Sequence, residues 1–160
     1  MSILNSVIKA FVGDKAKKDV KALQPMVEKV NSFEASLEAL SHDELRQKTL
    51  DFKARIAKDR LPFMQKIQAL ESEVDSSDDV DRKESIYGEI DALNEEAYKI
   101  TENTLNDLLP EAFAVVKETA KRFVNNSTIQ VEASAFDRQL SGTKEYITLE
   151  GDHAIWSNSW

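Results

Sequence analysis

A chain of 160 residues, 41% hydrophobic and 31% charged, is long enough for one domain with a real core and too apolar to be a disordered polymer. It has no cysteine, which excludes disulfide scaffolds, thiolate zinc sites and cysteine nucleophiles and fits a reducing cytoplasm. The net charge of -8 argues against nucleic acid as a partner. No apolar run approaches the roughly 20 residues needed to cross a bilayer, and the first twelve residues lack the cationic start and long apolar core of a secretory signal.

The first predicted element covers residues 3–12. Ile3, Leu4, Val7, Ile8, Phe11 and Val12 share one face, with Asn5, Ser6 and Lys9 opposite, the spacing of an amphipathic helix. Gly13 is a plausible C-cap, and a second helix is expected from Asp14, with Val20, Leu23, Val27 and Val30 as its apolar stripe. Pro25 should kink or restart it. Phe33, Leu37 and Leu40 continue the stripe. Residues 1–24 carry five Lys against two Asp, a local charge of +3 that departs from the acidic whole. Two readings stand for this arm: a helix packed on its own domain or on a second copy, or a helix lying on an anionic membrane surface.

Ser41 and Glu44 have the spacing of a capping box, and Leu45, Phe52 and Ile56 mark the buried face of a helix to about residue 59. Leu61-Pro62 is expected to punctuate it. Met64, Ile67, Leu70 and Val74 predict a helix over 63–74. The run 75–79 reads as a turn with N-cap candidates. A longer helix follows, with Ile86, Ile90, Leu93, Ala97 and Ile100 at helical spacing. Residues 63–105 thus read as a helical hairpin. Residues 71–111 hold fourteen Asp/Glu against three Lys/Arg, a local charge of -11. These acidic faces are solvated surface, or the outside of an arm that docks a partner.

Pro110 suits the first turn of a further helix, with Glu111 near its start, Lys117, Lys121 and Arg122 near its end, and Phe113, Val116, Ala120 and Phe123 on one face. Asn125-Asn126 ends it. After residue 127 the texture becomes β-branched and alternating, and 128–149 predicts a small hairpin with a helical turn around Phe136. The last residue, Trp160, leads us to expect that the natural chain continues. The predicted architecture is mainly α: a helical bundle with a long helical hairpin and a small C-terminal β-hairpin.

Catalytic motifs are not found. "SGTKEY" at 141–146 has one glycine and a misplaced Lys144 for a phosphate loop. Glu150 and His153 have a Glu-x-x-His spacing but bracket a Gly-Asp turn. Glu95-Glu96 are consecutive and point apart on a helix. We assign no catalytic, cofactor-binding or metal residue within the chain.

Three stretches carry a family resemblance. They are "ILNSVIKAFVGDKAKKD", then "LEALSHDELRQKTLDFKARI" at 37–56, then "LLPEAFAVVKETAKR". The second resembles a Leu-Ser-x-x-Glu-Leu-x-x-Lys-Thr-x-x-Phe-x-x-Arg pattern, and the third a Pro-Glu-Ala-Phe-Ala-Val-Val helix, of the SecA family of preprotein-translocating ATPases. The likeness covers about residues 1–60 and 105–124. The hairpin and the β-rich tail look like insertions, and some members resemble this longer form.

The resemblance implies an N-terminal piece of a RecA-like α/β motor domain, divided as 1–60 N-terminal helices (amphipathic arm 1–13), 61–106 acidic hairpin insertion, 107–127 helix leading toward a nucleotide-binding core, and 128–160 β-rich insertion. It implies ATP and magnesium for the parent protein and no cofactor or catalysis in these residues; Gln130 is not given the family's adenine-reading role. The implied partners are the SecYEG channel, an acidic phospholipid surface, preprotein and a second copy. The implied location is the cytoplasm, peripherally on the inner face of the plasma membrane. The residues carried over for membrane or partner contact are Ile3, Leu4, Val7, Ile8, Lys9, Phe11, Lys15, Lys17 and Lys18. The alternative is an acidic helical adaptor with no link to ATP.

Overall fold

A computed structural model describes the backbone of residues 3–159 and the side chains of 15 and 17–159. Helix α1 runs Ile3–Ser32 and α2 Glu34–Glu38. Two long helices follow, α3 His42–Ser76 and α4 Val80–Asn125. Strand β1 is Thr128–Glu132, α5 Ala135–Ser141, β2 Ile147–Glu150 and β3 His153–Ser157.

Helix starts follow local chemistry. The Ser41 hydroxyl accepts from the Glu44 amide at 3.2 Å, and the Glu44 carboxylate accepts from the Ser41 amide at 2.7 Å, completing the expected capping box. At the hairpin tip, Asp79 accepts from the amides of Asp81 and Arg82 and caps α4. Beside it, Arg82 bonds Glu73 at 2.7 Å and Glu89 at 3.3 Å, holding the two helix ends together.

The expected breaks at proline and glycine do not occur. Helix α1 runs through Gly13 and Pro25, α3 through Pro62 and α4 through Pro110. A helical proline deletes one hydrogen bond and crowds the preceding turn, a cost of about 3 kcal/mol. Flanking helical turns carry the chain through the exposed Pro25 and Pro62, and Pro110 is in addition buried against its neighbours. The segments predicted before and after Pro62 and Pro110 are therefore single rods, α4 being about 70 Å long at 1.5 Å per residue.

Three apolar clusters hold the chain together. Leu37, Leu45, Ala114 and Val115 gather Val30, Phe33, Leu40 and Phe52 where α1 and α2 meet the long helices. Ile67, Val74, Ile86 and Ile90, with Leu70 and Leu93, zip the α3–α4 arm. Ile129, Val131, Ile147 and Ala154 form the third, against Phe123 and Trp156. The first half of the expected α1 stripe is not core: Val20, Leu23 and Val27 are exposed, and burial begins at Val30. Among the described residues, no neighbour covers that part of the helix.

The β segment is a three-stranded antiparallel sheet of order β1-β3-β2. The predicted pairing of the 128–132 and 147–150 strands is thus corrected: each pairs with β3 instead. Gly151, at φ 59°, makes the tight β2–β3 connection, a left-handed conformation that glycine accepts without strain. The helical turn around Phe136 is α5.

Candidate functional site

Three polar clusters and a groove meet where α3, α4 and the sheet converge. In the first cluster, Glu111, the acid of the Pro-Glu-Ala-Phe stretch, takes Lys48 at 3.1 Å and Arg55 at 3.2 Å from α3. Lys48 and Arg55 are the basic positions of the Leu-Ser-x-x-Glu-Leu pattern. The two resembling stretches are thus one packed unit: Ser41 and Glu44 start α3, Leu45 and Phe52 face the core, and Lys48 and Arg55 pin α4.

The second cluster is centred on Arg122, which is buried. Its Nε donates to Glu118 at 2.8 Å, and its Nη2 to the carbonyls of Leu37 and Leu40 at 3.0 and 2.7 Å. Its Nη1 lies 3.1 Å from His42 Nδ1, and because a guanidinium only donates, that nitrogen is the acceptor. One side chain thereby satisfies the end of α2, the start of α3 and its own helix.

The third cluster is centred on Asp137, which is fully buried. Its carboxylate accepts from the Ser134 amide and hydroxyl at 2.8 and 2.6 Å, from Arg46 at 2.8 Å and from the Trp156 indole at 3.2 Å. Burial alone would raise its pKa, but the Ser134 and Arg46 hydrogen bonds outweigh it and hold the carboxyl below its ordinary value. Arg46 also donates to the Glu132 carbonyl at 3.2 Å, so α3 grips both β1 and α5.

Between these clusters lies an apolar cavity of about 340 Å³ lined by Leu45, Val115, Phe123, Ile129, Val131 and Trp156 among others. Thr49, Val115, Thr119 and Phe123 also line an adjoining groove of about 700 Å³, which reaches Val116, Ala120, Val124 and Asn158.

The residues expected to make membrane or partner contacts lie away from this junction. Ile3, Leu4, Val7, Ile8, Lys9 and Phe11 fall on the α1 backbone, with side chains outside the described residues, and Lys15, Lys17 and Lys18 are exposed on the same helix. Among the described residues no His, Asp or Glu group could hold a metal ion, and Glu150 and His153 are exposed cross-strand partners. No helix among the described residues is long and apolar enough to cross a membrane. The junction was not predicted, because the partners that α3 brings to it lie far apart in sequence: Arg55 and Glu111 are separated by 56 residues, Lys48 and Glu111 by 63, and Arg46 and Asp137 by 91.

This arrangement defines a helical protein whose α3–α4 pair carries a small sheet, with no reactive constellation among the described residues. The family model for the SecA DEAD-like domain matches residues 8–153, and the chain belongs to that family. It is 62% identical over its whole length to a protein translocase subunit SecA of Christiangramia forsetii and 55% identical to that of Flavobacterium psychrophilum. It is 38% identical over 157 residues to the Phocaeicola vulgatus subunit. The chain spans about 14% of the length of each of these relatives. No solved structure matches.

Proposed function

We propose that this chain is the N-terminal part of an ATP-driven motor that moves preproteins through the SecYEG channel, and that these residues supply a membrane, channel or dimer contact and no catalysis. The observation that supports the reading is the likeness to SecA translocase subunits along the whole chain, at 62% identity. In this reading the segment belongs to a RecA-like domain whose ATP- and magnesium-holding residues lie elsewhere in the polypeptide. The α3–α4 unit is then scaffold, and α1 is the contact element, working peripherally at the inner face of the plasma membrane. The exposed Lys15 and Lys17 offer charge to an anionic surface, and the apolar residues of 3–12 offer area to bury.

The test is ATP-dependent preprotein import into inverted membrane vesicles by the full-length polypeptide. Import that requires ATP and falls when residues 1–12 are removed supports the reading. Import unaffected by that deletion removes the contact role, and no import at all removes the translocase role. Micromolar ATP binding by the 160-residue chain in calorimetry would contradict the assignment of nucleotide binding to other residues.

A further inference from the structure

The N-terminal half of α4, one of the two helices of the arm, carries an aromatic and acidic face. Tyr87 and Tyr98 are 55% and 65% exposed. They lie three turns apart, about 16 Å along the helix, and within about 20° of one another around it. Glu84, Asp91, Glu95 and Glu102 are exposed on the same side, and at about 100° per residue the six fall within an arc of about 80°. The nearby bases project elsewhere: Lys83 and Lys99 lie outside the arc on either side, and Arg82 faces away from it.

Across the tip of the arm charges are matched, Arg82 pairing with Glu73 and Glu89. On this face they are not. Among the described residues no base reaches Glu84, Asp91, Glu95 or Glu102, and Glu102 has only the Tyr98 hydroxyl, at 3.5 Å. Asp91 and Glu95 are one turn apart, a like-charged pairing that opposes the helix carrying it. Gly88 borders the same arc. It is exposed, its φ is negative, and nothing lies within 4 Å of where a Cβ would stand. Neither backbone geometry nor packing within the chain calls for glycine there, and a helix interior is weakened by one. A missing side chain on an open helix face leaves room for another backbone to come close.

We propose that this face of the arm is a docking surface for a Lys- and Arg-rich helix of a partner protein. The acids set its sign: a nucleic acid or an anionic membrane carries the charge that they repel. The tyrosines set its character. Their ring faces take cationic heads and the aliphatic stems that lead to them, while their hydroxyls stay in water. Gly88 sets the geometry, because it admits a helix backbone beside the arc. The acids are solvated in the free chain and exchange water for the partner's cations on binding. The inference needs neither ATP nor translocation, and it holds or fails apart from the motor reading.

The full-length polypeptide is titrated into three fluorescent peptides and followed by anisotropy. The first is an amphipathic helix of leucine and lysine about five turns long, the second an oligolysine of equal charge, and the third residues 1–24 of this chain. The leucine–lysine helix should bind, and more weakly as salt rises. Tyr98→Ala and Asp91→Asn should each weaken it by at least about fivefold, and Gly88→Leu by at least about tenfold. Gly88→Leu should at the same time keep or raise thermal stability, since leucine is the better helix former. Opposite movement of binding and stability separates a docking defect from a folding defect. No binding of the helix, or equal binding by wild type, Gly88→Leu and Tyr98→Ala, overturns the surface. Oligolysine bound as tightly as the helix and unaffected by Tyr98→Ala overturns it too, leaving charge alone. Residues 1–24 bound at least about tenfold more tightly than the helix, and lost in the same variants, overturn a partner protein as the occupant and assign the face to a second copy. Import is measured on the same preparations, so peptide binding without import counts against the translocase reading alone.

Discussion

Asp137 shows how one residue fixes the position of a module. Its carboxylate is sealed from solvent and takes four hydrogen bonds, from Ser134, Arg46 and Trp156. A buried charge is tolerated only when its lone pairs are filled in this way. Asp137→Asn keeps the shape but loses the charge that Arg46 answers. We expect it to lower stability by about 2–3 kcal/mol at neutral pH, the Arg46 side being partly solvated, as measured by urea unfolding. A loss under a few tenths would mean that the pair does not anchor the sheet. The pH dependence has a definite sign. The folded carboxyl is held below its ordinary value, so its contribution is complete above the unfolded pKa of about 4 and is lost as pH falls through that value toward the folded one. The gap between wild type and Asp137→Asn should therefore shrink below about pH 5, whereas a constant gap would show that the charge is not the cause.

At the scale of the element, the long helices accept prolines that local rules would place at their ends. Pro62 is exposed within α3, between Phe52 and Ile67, both of which pack on their neighbours. Its ring makes no buried contribution to set against the missing hydrogen bond. Pro62→Ala is expected to raise stability by about 1–3 kcal/mol and to leave the helical signal in circular dichroism unchanged or larger. Destabilisation would indicate a break at this point that the packing needs. Midway along the same helix pair, Thr104 donates to Asp59 at 2.7 Å, a cross-link between α3 and α4 within the span bracketed by the two prolines.

At the scale of the whole molecule, a basic arm and an acidic rod sit at different places on one chain. The rod's outer residues, such as Glu84, Glu95 and Glu96, are exposed as solvated surface. The arm carries lysines next to the residues predicted to form an apolar face. The 160-residue chain should co-sediment with vesicles containing anionic lipid, lose that binding as ionic strength rises past about 0.15 M, and lose it altogether without residues 1–12. Binding that survives the deletion would move the contact elsewhere. If charge reversal at Asp78, Asp79 and Asp81 removes a partner while vesicles are never bound, the chain acts as an acidic adaptor.

The sequence by itself determined what short-range chemistry controls. The Ser41–Glu44 and Asp79 caps, the helical hairpin, the change to β texture after residue 127 and the family likeness all rest on neighbours within a few positions, or on their order. What only the tertiary structure decided involves a choice between alternatives that are locally equal. Prolines 25, 62 and 110 could end helices or ride inside them, and the rods on either side settled that. β1 and β2 had matching patterns, yet both pair with β3, because strand order is set by packing over distance. Above all, Phe113, Val116 and Ala120 had the spacing of a core face, and they are the open one. Periodicity picks out the continuous apolar stripe, whereas the buried side mixes Leu108, Ala114 and Val115 with the Glu118–Arg122 pair, and only the elements that pack on the helix decide which side is inside.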